Sequence, residues 1–195
     1  MKIVAICGLI GSGKDTFGNI LVQEKKYIRL SFASSLKDAV SCVFGWDRNK
    51  LEGITPEDRQ WREENDIWWS NRLGIPNLSP RMVLQIWGTD ILRGKFHPDI
   101  WLACIENKIR NLPEGTSGVV ITDCRFPNEI EFLRNLGAEI VWIRRKPFPK
   151  WVREYLKGKI PNIHPSEYLW LKSSFTKIIE NSGTLEELRE KALIL

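Results

Sequence analysis

Histidine is scarce in this chain of 195 residues, with only His97 and His164, and the four cysteines stand far apart from one another. That spacing fits neither a disulfide framework nor a zinc site with paired ligands. No apolar run approaches the roughly 18 residues that would cross a bilayer. Charge of one sign does not dominate, because 29 basic and 24 acidic residues leave a net charge of +5. These shortages favour a soluble cytoplasmic protein with an anionic small-molecule ligand and no nucleic-acid or membrane partner.

Short apolar segments rich in β-branched residues alternate along the chain with helix-like stretches that carry capping residues and prolines. Such alternation is typical of an α/β fold with buried parallel strands. An apolar content of 43% is enough for a single core over residues 1–195. The expected strands are Lys2–Cys7, Ile28–Phe32, Val119–Thr122, Ile140–Ile143 and Lys177–Ile179.

Two segments depart from this alternation. Residues 45–79 combine several tryptophans with many charges, which favours a helical insertion on the acceptor side of a site. Residues 144–170 begin with a basic stretch flanked by prolines, which favours a lid-like flap over an anionic ligand. The expected architecture is a three-layer α/β domain in which the five strands are parallel, with a helical insertion and a basic lid.

A glycine-rich motif, Gly8-Leu-Ile-Gly-Ser-Gly-Lys14, follows the first expected strand directly and precedes an expected helix. It has the G-x-x-x-x-G-K spacing of a P-loop, in which backbone N–H groups, a helix N-terminus and a lysine bind the phosphates of a nucleoside triphosphate. The alternative is a glycine-rich turn without a ligand, which the coincidence of spacing, lysine and context disfavours. A P-loop NTPase fold is therefore expected, with triphosphate-binding residues Gly11, Ser12, Gly13, Lys14, Asp15 and Thr16.

The residue after Lys14 is Asp15, where most P-loops carry a serine or threonine. A carboxylate at this position is expected to hold magnesium directly or through water, which leaves Thr16 free to contact phosphate. Asp15 is thus a candidate for both metal binding and catalysis.

The helix that is expected to begin at Pro80 carries a polar stripe among large apolar residues. Its members recur every four residues and therefore share one helix face: Arg81, Gln85, Thr89 and Arg93. One interpretation is a cleft lining, in which the arginines bind a phosphate, Gln85 contacts a base edge and Gly88 leaves room for the ligand. The other is an ordinary solvated face. The first interpretation predicts a nucleoside monophosphate site.

Charged residues follow the expected strand Val119–Thr122, at the strand end where the ligands of open parallel sheets gather. Asp123 is a candidate for orienting magnesium-bound water, and Arg125 is a candidate for neutralising charge on a transferring phosphoryl group. Glu129 is spaced to steer Arg125. The alternative is that Asp123 and Glu129 only cap the next helix.

Several motifs, spread from the P-loop towards the C-terminus, together resemble those of the bacteriophage-type deoxynucleoside monophosphate kinases. The presence of Asp15 after the P-loop lysine is part of that family's pattern. The residues that carry the resemblance are Gly11–Thr16, Phe32-Ala33-x-x-Leu36-Lys37, Pro80-Arg81-x-x-Leu84-Gln85-x-x-Gly88-Thr89-Asp90, Trp101, Asp123-x-Arg125-x-x-x-Glu129 and His164-x-Ser166-Glu167.

The resemblance implies an enzyme that uses ATP and Mg²⁺ to phosphorylate deoxynucleoside monophosphates in the cytoplasm of a phage-infected cell, and a homodimer is among the expected assemblies. The expected metal ligands are Asp15 and Asp123. Arg144 or Arg145 is expected to close with the flap, and Arg145 is the expected contact to ATP. The expected catalytic residues are Lys14, Asp15, Asp123, Arg125 and Glu129. The expected acceptor-binding residues are Lys37, Arg81, Gln85, Gly88, Thr89, Arg93 and Trp101.

Other functions stay open at this point. The run Asn181-Ser-Gly-Thr-Leu185 resembles one in dephospho-coenzyme A kinases, although the polar stripe argues against that activity. Animal phosphomevalonate kinases share a Gly-Lys-Asp loop. The basic flap also suits a nucleic-acid-binding NTPase, but no aromatic-interleaved stripe accompanies it. Trp101, taken alone, fits a core position, while His164 and Glu167 fit either substrate contact or loop closure.

Overall fold

The protein contains one five-stranded sheet in which all neighbouring strands are parallel. The computed structural model describes residues 1–195. The strands are β1 (Lys2–Cys7), β2 (Ile28–Leu30), β3 (Gly118–Ile121), β4 (Glu139–Arg144) and β5 (Lys177–Glu180), in the spatial order β2-β3-β1-β4-β5. The predicted α/β fold with parallel strands is confirmed, and the strand bounds differ from the predicted ones by two residues at most.

Helices fill the connections between the strands. The α-helices are α1 (Lys14–Lys25), α2 (Ser34–Phe44), α3 (Pro56–Glu63), α4 (Ile67–Leu73), α5 (Pro80–Gln85), α6 (Ile100–Arg110), α7 (Pro127–Asn135), α8 (Lys150–Leu156) and α9 (Leu185–Leu193). A π-helix covers Ile86–Phe96, and short 3-10 turns cover Lys50–Glu52, Pro165–Glu167 and Leu169–Lys172. None of the helices has the length and apolar composition of a bilayer-spanning segment.

The chain divides into two compact units. Residues 1–31 and 111–195 form the first, which holds the whole sheet and is called the sheet unit below. Residues 32–110 form the second, called the helical unit. The segment 45–79, for which a helical insertion was expected, contains α3 and α4, and the unit around it also takes in α2, α5, the π-helix and α6.

In the sheet unit, helices cover both faces of the sheet. The connection from β1 through α1 to β2 moves one way across the sheet, whereas the connection from β3 through α7 to β4 moves the other way. Because such crossovers are right-handed, α1 and α7 lie on opposite faces, which confirms the three layers. On the α1 face, Phe17 and Leu188 of α9 pack with Ile6 of β1 in one buried cluster. β1 lies where the direction reverses, the position at which open α/β sheets bind ligands.

The tryptophan-rich stretch supplies the aromatic core of the helical unit. The Phe44 ring lies 4.5 Å from the ring of Trp46 and 4.8 Å from that of Trp69, centroid to centroid. The indole N–H of Trp46 donates to Asp66 at 2.8 Å, and that of Trp69 donates to the carbonyl oxygen of Phe44 at 3.1 Å. The tryptophans of residues 45–79 therefore serve packing, and Trp68 is the one of the four that is mostly exposed.

The helix that begins at Pro80 does not remain an α-helix. Ser79 caps its N-terminus through a bond from the Met82 N–H, and α5 ends at Gln85. From Ile86 to Phe96 the backbone is a π-helix, whose i→i+5 hydrogen bonds widen each turn. The assumption of 3.6 residues per turn along the whole stripe is therefore wrong beyond Gln85. π-helices are rare and appear mostly as single-turn bulges within α-helices, frequently at functional sites, so a stretch of 11 residues is unusual.

Residues 144–170, for which a basic flap was expected, belong to the sheet unit, and an aromatic contact among their own side chains and a cation–π contact with Lys172 hold α8. Within α8, Val152 and Tyr155 are buried, while the basic side chains around them are exposed. The Tyr155 ring packs against Tyr168 at 4.7 Å, and the Lys172 ammonium lies 4.5 Å from the Tyr155 ring centre. The segment thus has an apolar side that packs and a cationic side that faces solvent.

Candidate active-site residues

The loop that joins β1 to α1 carries the features of an anion-binding helix N-terminus. Gly11 and Gly13 have φ values of +75° and +90°, which side chains with a Cβ atom adopt only with strain. Gly13 is also the N-cap of α1, so no side chain caps the first N–H groups of this 12-residue helix. The Ser12 hydroxyl is buried and has no hydrogen-bond partner. Phosphate oxygens would satisfy all of these donors.

Asn181, which follows β5, holds this loop from the C-terminal part of the chain. Its side-chain Nδ2 donates to the Ser12 carbonyl oxygen at 2.8 Å, and its backbone N–H donates to the Arg144 carbonyl oxygen at 2.7 Å. A Cβ atom on Gly13 would lie 2.2 Å from Nδ2, so glycine is required both for its backbone angle and for this approach. Sequence reasoning noticed the Asn181 run only as a likeness to another kinase family and missed its contact with the loop.

Arg29 of β2 is a second residue that sequence reasoning missed. Its guanidinium donates to the Asp15 carboxylate and to the Thr122 hydroxyl, both at 2.6 Å, and to the Asn19 amide oxygen at 2.7 Å. Lys14 Nζ lies 3.4 Å from the other Asp15 oxygen. Burial alone would raise the pKa of Asp15, but the charges of Lys14 and Arg29 outweigh it and hold that pKa below its ordinary value. Asp15 therefore carries its negative charge at neutral pH.

Asp123 and Arg125 emerge beyond the end of β3, and each has a defined partner. Asp123 Oδ2 accepts a hydrogen bond from the Ser31 hydroxyl at 2.7 Å, which ties it to the chain after β2. The Arg125 guanidinium forms an ion pair with Glu167. The strand end thus presents one carboxylate and one guanidinium in the sheet unit that also holds the glycine-rich loop.

Glu129 acts on Arg125 through the backbone. Its side chain is buried, and its Oε2 accepts from the Arg125 N–H at 2.8 Å and from the Phe126 N–H at 3.1 Å. These bonds satisfy donors at the start of α7, which is the capping alternative considered above. A direct catalytic part for Glu129 stays a prediction, and the geometry gives it the task of setting the backbone beneath Arg125.

The two arginines at the end of β4 differ in their surroundings. Arg144 forms an ion pair with Glu180, and its guanidinium lies 5.2 Å from the centre of the Trp142 ring. Arg145, which was expected to close on ATP, is exposed. The first arginine is therefore held within the sheet unit, while the second has a side chain that solvent reaches.

The carboxylates fit a magnesium ion that is held mainly by phosphate oxygens. No cluster of three or more His, Cys, Asp or Glu side chains forms an all-protein metal site. In nucleotide sites, Mg²⁺ needs only one or two carboxylates beside phosphate oxygens and water. Asp15 and Asp123 supply hard oxygen donors of this kind, and the lowered pKa of Asp15 keeps it ionised.

In the helical unit, Lys37 and Arg81 are both engaged with acidic partners. Lys37 Nζ lies 2.5 Å from Glu52, whose other oxygen lies 2.6 Å from Arg48. Burial would raise the pKa of Glu52, but hydrogen bonds and charge from Lys37 and Arg48 lower it overall. Arg81 Nε lies 3.2 Å from Glu63, and both of these side chains are largely exposed. Arg81 is therefore accessible to an anion. An exposed ion pair contributes little free energy, so the contact with Glu63 does not strongly oppose anion binding.

The remaining stripe residues differ in exposure along the helix. Gln85 is exposed, whereas Thr89 and Arg93 in the π-helix are partly buried. Gly88 is buried, and a Cβ atom there would lie 2.7 Å from Leu36 of α2. The space beside Gly88 is thus filled by Leu36, not left open for a ligand as its position on the stripe suggested. Trp101 is buried, and its indole N–H donates to the Gly88 carbonyl oxygen at 2.9 Å.

Gly88→Ala is expected to destabilise the protein by about 1–3 kcal/mol, because the added methyl group would overlap Leu36. Urea unfolding of the purified variant measures this loss. Leu36→Val removes the Cδ2 atom with which the methyl group collides, so Gly88→Ala should cost less in that background. Equal costs in both backgrounds would contradict the steric explanation.

The parallel sheet with β1 at its switch point, together with a glycine-rich loop that ends in Lys14 at the start of α1, defines the architecture of a P-loop NTPase. A family model described as deoxynucleotide monophosphate kinase matches residues 63–192. The chain belongs to this family.

Two curated proteins are similar over most of the chain. The deoxynucleoside-5′-monophosphate kinase of Escherichia phage T5 is 46% identical, over 85% of this chain and 83% of that protein. The putative deoxynucleotide monophosphate kinase of Acanthamoeba polyphaga mimivirus is 29% identical, over 96% of this chain and 92% of that protein. Both similarities extend well beyond the P-loop.

Solved structures match less closely. A sugar kinase from Janibacter sp. HTCC2649 has a TM-score of 0.41 at 15% identity, covering 100% of this chain and 93% of its own. A gluconokinase from Sinorhizobium meliloti 1021 has a TM-score of 0.42 at 17% identity, covering 99% of this chain and 89% of its own. At these scores the likeness adds nothing to the topology described above.

Proposed function

We propose that this protein transfers the γ-phosphoryl group of ATP to the phosphate of a deoxynucleoside monophosphate, giving a deoxynucleoside diphosphate and ADP. The observation that carries the proposal is the match to the deoxynucleotide monophosphate kinase family over residues 63–192. The same chain has a P-loop before that range, at the start of α1. Dephospho-coenzyme A kinase activity and DNA-dependent ATP hydrolysis are not favoured, since neither accounts for this match. The phage and mimivirus relatives support action in the cytoplasm of an infected cell.

On the donor side, the triphosphate lies on the glycine-rich loop. The uncapped N–H groups at the start of α1, the unpaired Ser12 hydroxyl and the Lys14 ammonium are the donors for its oxygens. Thr16 is exposed in the first turn of α1 and adds a hydroxyl. Asp15 and Asp123 would hold Mg²⁺ against the phosphates, where the ion would neutralise phosphate charge.

On the acceptor side, Arg81 binds the monophosphate, and Gln85 contacts the base. Arg81 offers a planar fork of donors that matches phosphate oxygens, and Gln85 both donates and accepts hydrogen bonds. Lys37, Thr89 and Arg93 complete this set. Gly88 and Trp101 act by fixing the backbone of the π-helix, through the bond between the indole and the Gly88 carbonyl.

The chemical step needs no strong base, because the acceptor phosphate is already an anion at neutral pH. One of its oxygens forms the new bond to the γ-phosphorus as the bond from that phosphorus to the β,γ-bridging oxygen breaks, and ADP leaves with the electron pair. The protein must align two polyanions and stabilise the charge that spreads over the transferring group. Arg125 is the residue that stabilises this charge.

Arg81→Ala is expected to raise KM for the deoxynucleoside monophosphate about 10–100-fold while KM for ATP changes little, because a charge-assisted bond to phosphate contributes about 1.5–3 kcal/mol. A coupled ADP-release assay with ATP, Mg²⁺ and each of dAMP, dCMP, dGMP and dTMP measures both constants. Ribonucleotides run beside them measure sugar selectivity.

The matched control is Arg72→Ala, since Arg72 is an exposed arginine on α4 of the same unit. It should retain wild-type constants. Wild-type protein without turnover on any deoxynucleoside monophosphate would refute the proposed function. An unchanged acceptor KM in Arg81→Ala would refute the assignment of Arg81 alone.

A further inference from the structure

The segment His164–Glu167 carries a motif whose task the donor and acceptor sites leave unexplained. It lies in the sheet unit, at the C-terminal part of residues 144–170, and forms a 3-10 turn over Pro165–Glu167. Of its side chains, Glu167 alone reaches one of the candidate catalytic residues, through the ion pair with Arg125. The two residues are 42 positions apart in the chain.

The other hydrogen bonds of the turn fix the backbone of Glu167. The His164 ring nitrogen Nδ1 accepts the Ser166 N–H at 3.3 Å and lies 2.8 Å from the Ser166 hydroxyl. The Glu167 N–H donates to the His164 carbonyl oxygen at 3.0 Å, and the Glu167 carbonyl oxygen accepts the Trp170 indole N–H at 3.1 Å. Because Trp170 is buried, these bonds connect the turn to the core of the sheet unit.

Arg125 is thereby held at two points. Glu129, itself buried, fixes the backbone N–H of Arg125, and Glu167 fixes its guanidinium. A guanidinium has five N–H donors, so a bond from Nη1 to Glu167 leaves others for a phosphoryl oxygen. The exposed fraction of the side chain is 39% for Arg125 and 26% for Glu167, so the pair is half-buried while Arg125 stays accessible.

We infer that Glu167 is a positioning residue for Arg125, which orients the guanidinium for the transferring phosphoryl group without touching either nucleotide. The inference rests on the proposed function. A long, flexible arginine side chain would otherwise lose side-chain entropy at each turnover, and orientation in advance removes that cost from the chemical step. His164 and Ser166 then serve to fix the turn that carries the carboxylate.

The test compares Glu167→Gln, which removes the charge, with Glu167→Asp, which keeps it on a shorter side chain. We expect Glu167→Gln to lower kcat about 10–100-fold, as misplacement of a catalytic group by about 1 Å does, while KM for ATP and for the acceptor changes less than about twofold. Glu167→Asp should recover part of kcat. Thermal unfolding of each variant shows whether it is folded. If Glu167→Gln does not fold, Glu167→Asp is the variant whose kcat is compared with that of the wild type.

The matched control is Glu24→Gln. Glu24 forms an ion pair of 2.7 Å with Arg189 between α1 and α9 in the same unit, with similar exposure of both side chains. Loss of that pair should leave kcat unchanged, because neither partner is assigned to the site. A fall in kcat equal to that of Glu167→Gln would mean that loss of any such pair loosens the fold, and would overturn the inference.

A double-mutant cycle decides whether Glu167 acts through Arg125. In an Arg125→Lys background, Glu167→Gln should change kcat less than about twofold, because the oriented guanidinium is already gone. An equal fall in both backgrounds would overturn the inference, as would a raised KM for one nucleotide with kcat unchanged, which indicates substrate contact. If the wild-type protein turns over deoxynucleotides and Glu167→Gln keeps the full kcat, the inference is overturned. The proposed function is then still supported.

Discussion

Arg125→Ala is expected to lower kcat about a thousandfold while KM for both nucleotides changes only a few-fold. An arginine that meets charge on a transferring phosphoryl group contributes mostly in the transition state, so its loss appears in kcat. Arg125 has the required surroundings, with its backbone fixed by Glu129 and its side chain partly exposed. Steady-state kinetics with ATP and the best acceptor measure the effect.

The control for this variant is Arg134→Ala. Arg134 is an exposed arginine of α7 that donates to the Ser174 carbonyl oxygen at 2.7 Å, so its replacement removes an arginine from the same unit without touching the site. It should keep kcat within about twofold. Retention of kcat within about tenfold in Arg125→Ala would show that Arg125 does not meet the transferring group.

Lys14→Ala should lower kcat/KM for ATP about 100–1,000-fold, the range found when one well-placed donor is removed from a charge-stabilising site. The Lys14 side chain is only 15% exposed, so its ammonium is held near the N-terminus of α1. The uncapped N–H groups of that helix remain in the variant and should still bind ATP weakly. Titration with ATP, together with turnover at saturating acceptor, separates binding from transfer.

Lys25→Ala is the comparison, since Lys25 is the last residue of the same helix. It removes one positive charge from α1 at the opposite end and should leave kcat/KM for ATP unchanged. If both lysine variants lost activity equally, the effect would come from the net charge of the protein, and Lys14 would have no specific contact with phosphate.

The sheet and the P-loop were predictable because their signals are local. Buried parallel strands form continuous apolar runs, and the loop requires a fixed spacing of glycines and a lysine within seven consecutive residues, Gly8 to Lys14. Arg125 and Asp123 were placed at a strand end by the same kind of reasoning. Their positions beyond β3 agree with it, although their catalytic parts stay predictions.

The partners of these residues were not predictable, because they are distant in the chain. Arg29 meets Asp15 across 14 positions, Glu167 meets Arg125 across 42, and Asn181 meets Ser12 across 169. No spacing rule connects such pairs, since they meet only when the strands align in the order β2-β3-β1-β4-β5. Only the topology brings them together.

The helical unit shows a second limit of pattern reasoning. Residues 45–79 had a conspicuous composition without a decipherable period, since Trp46 packs on Phe44 from the loop after α2 and Trp69 packs on it from the short helix α4. The prediction of a polar stripe on the helix from Pro80 assumed one helical period throughout. The change to a π-helix at Ile86 could not be recognised from the four-residue spacing of the polar side chains. Gly88 was noticed correctly as special, but its reason is the approach of Leu36.

The position of β1 in the middle of the sheet has a consequence for synthesis on the ribosome. β1 ends at Cys7, yet its neighbours β3 and β4 begin at Gly118 and Glu139. At about 5–20 residues per second, the strand waits on the order of ten seconds for its first neighbour. The helical unit, which is continuous over residues 32–110, is completed within that interval. β1 is thus synthesised before both strands that pair with it, and the backbone hydrogen-bonding groups along its edges stay without strand partners until the second half of the nascent chain has emerged.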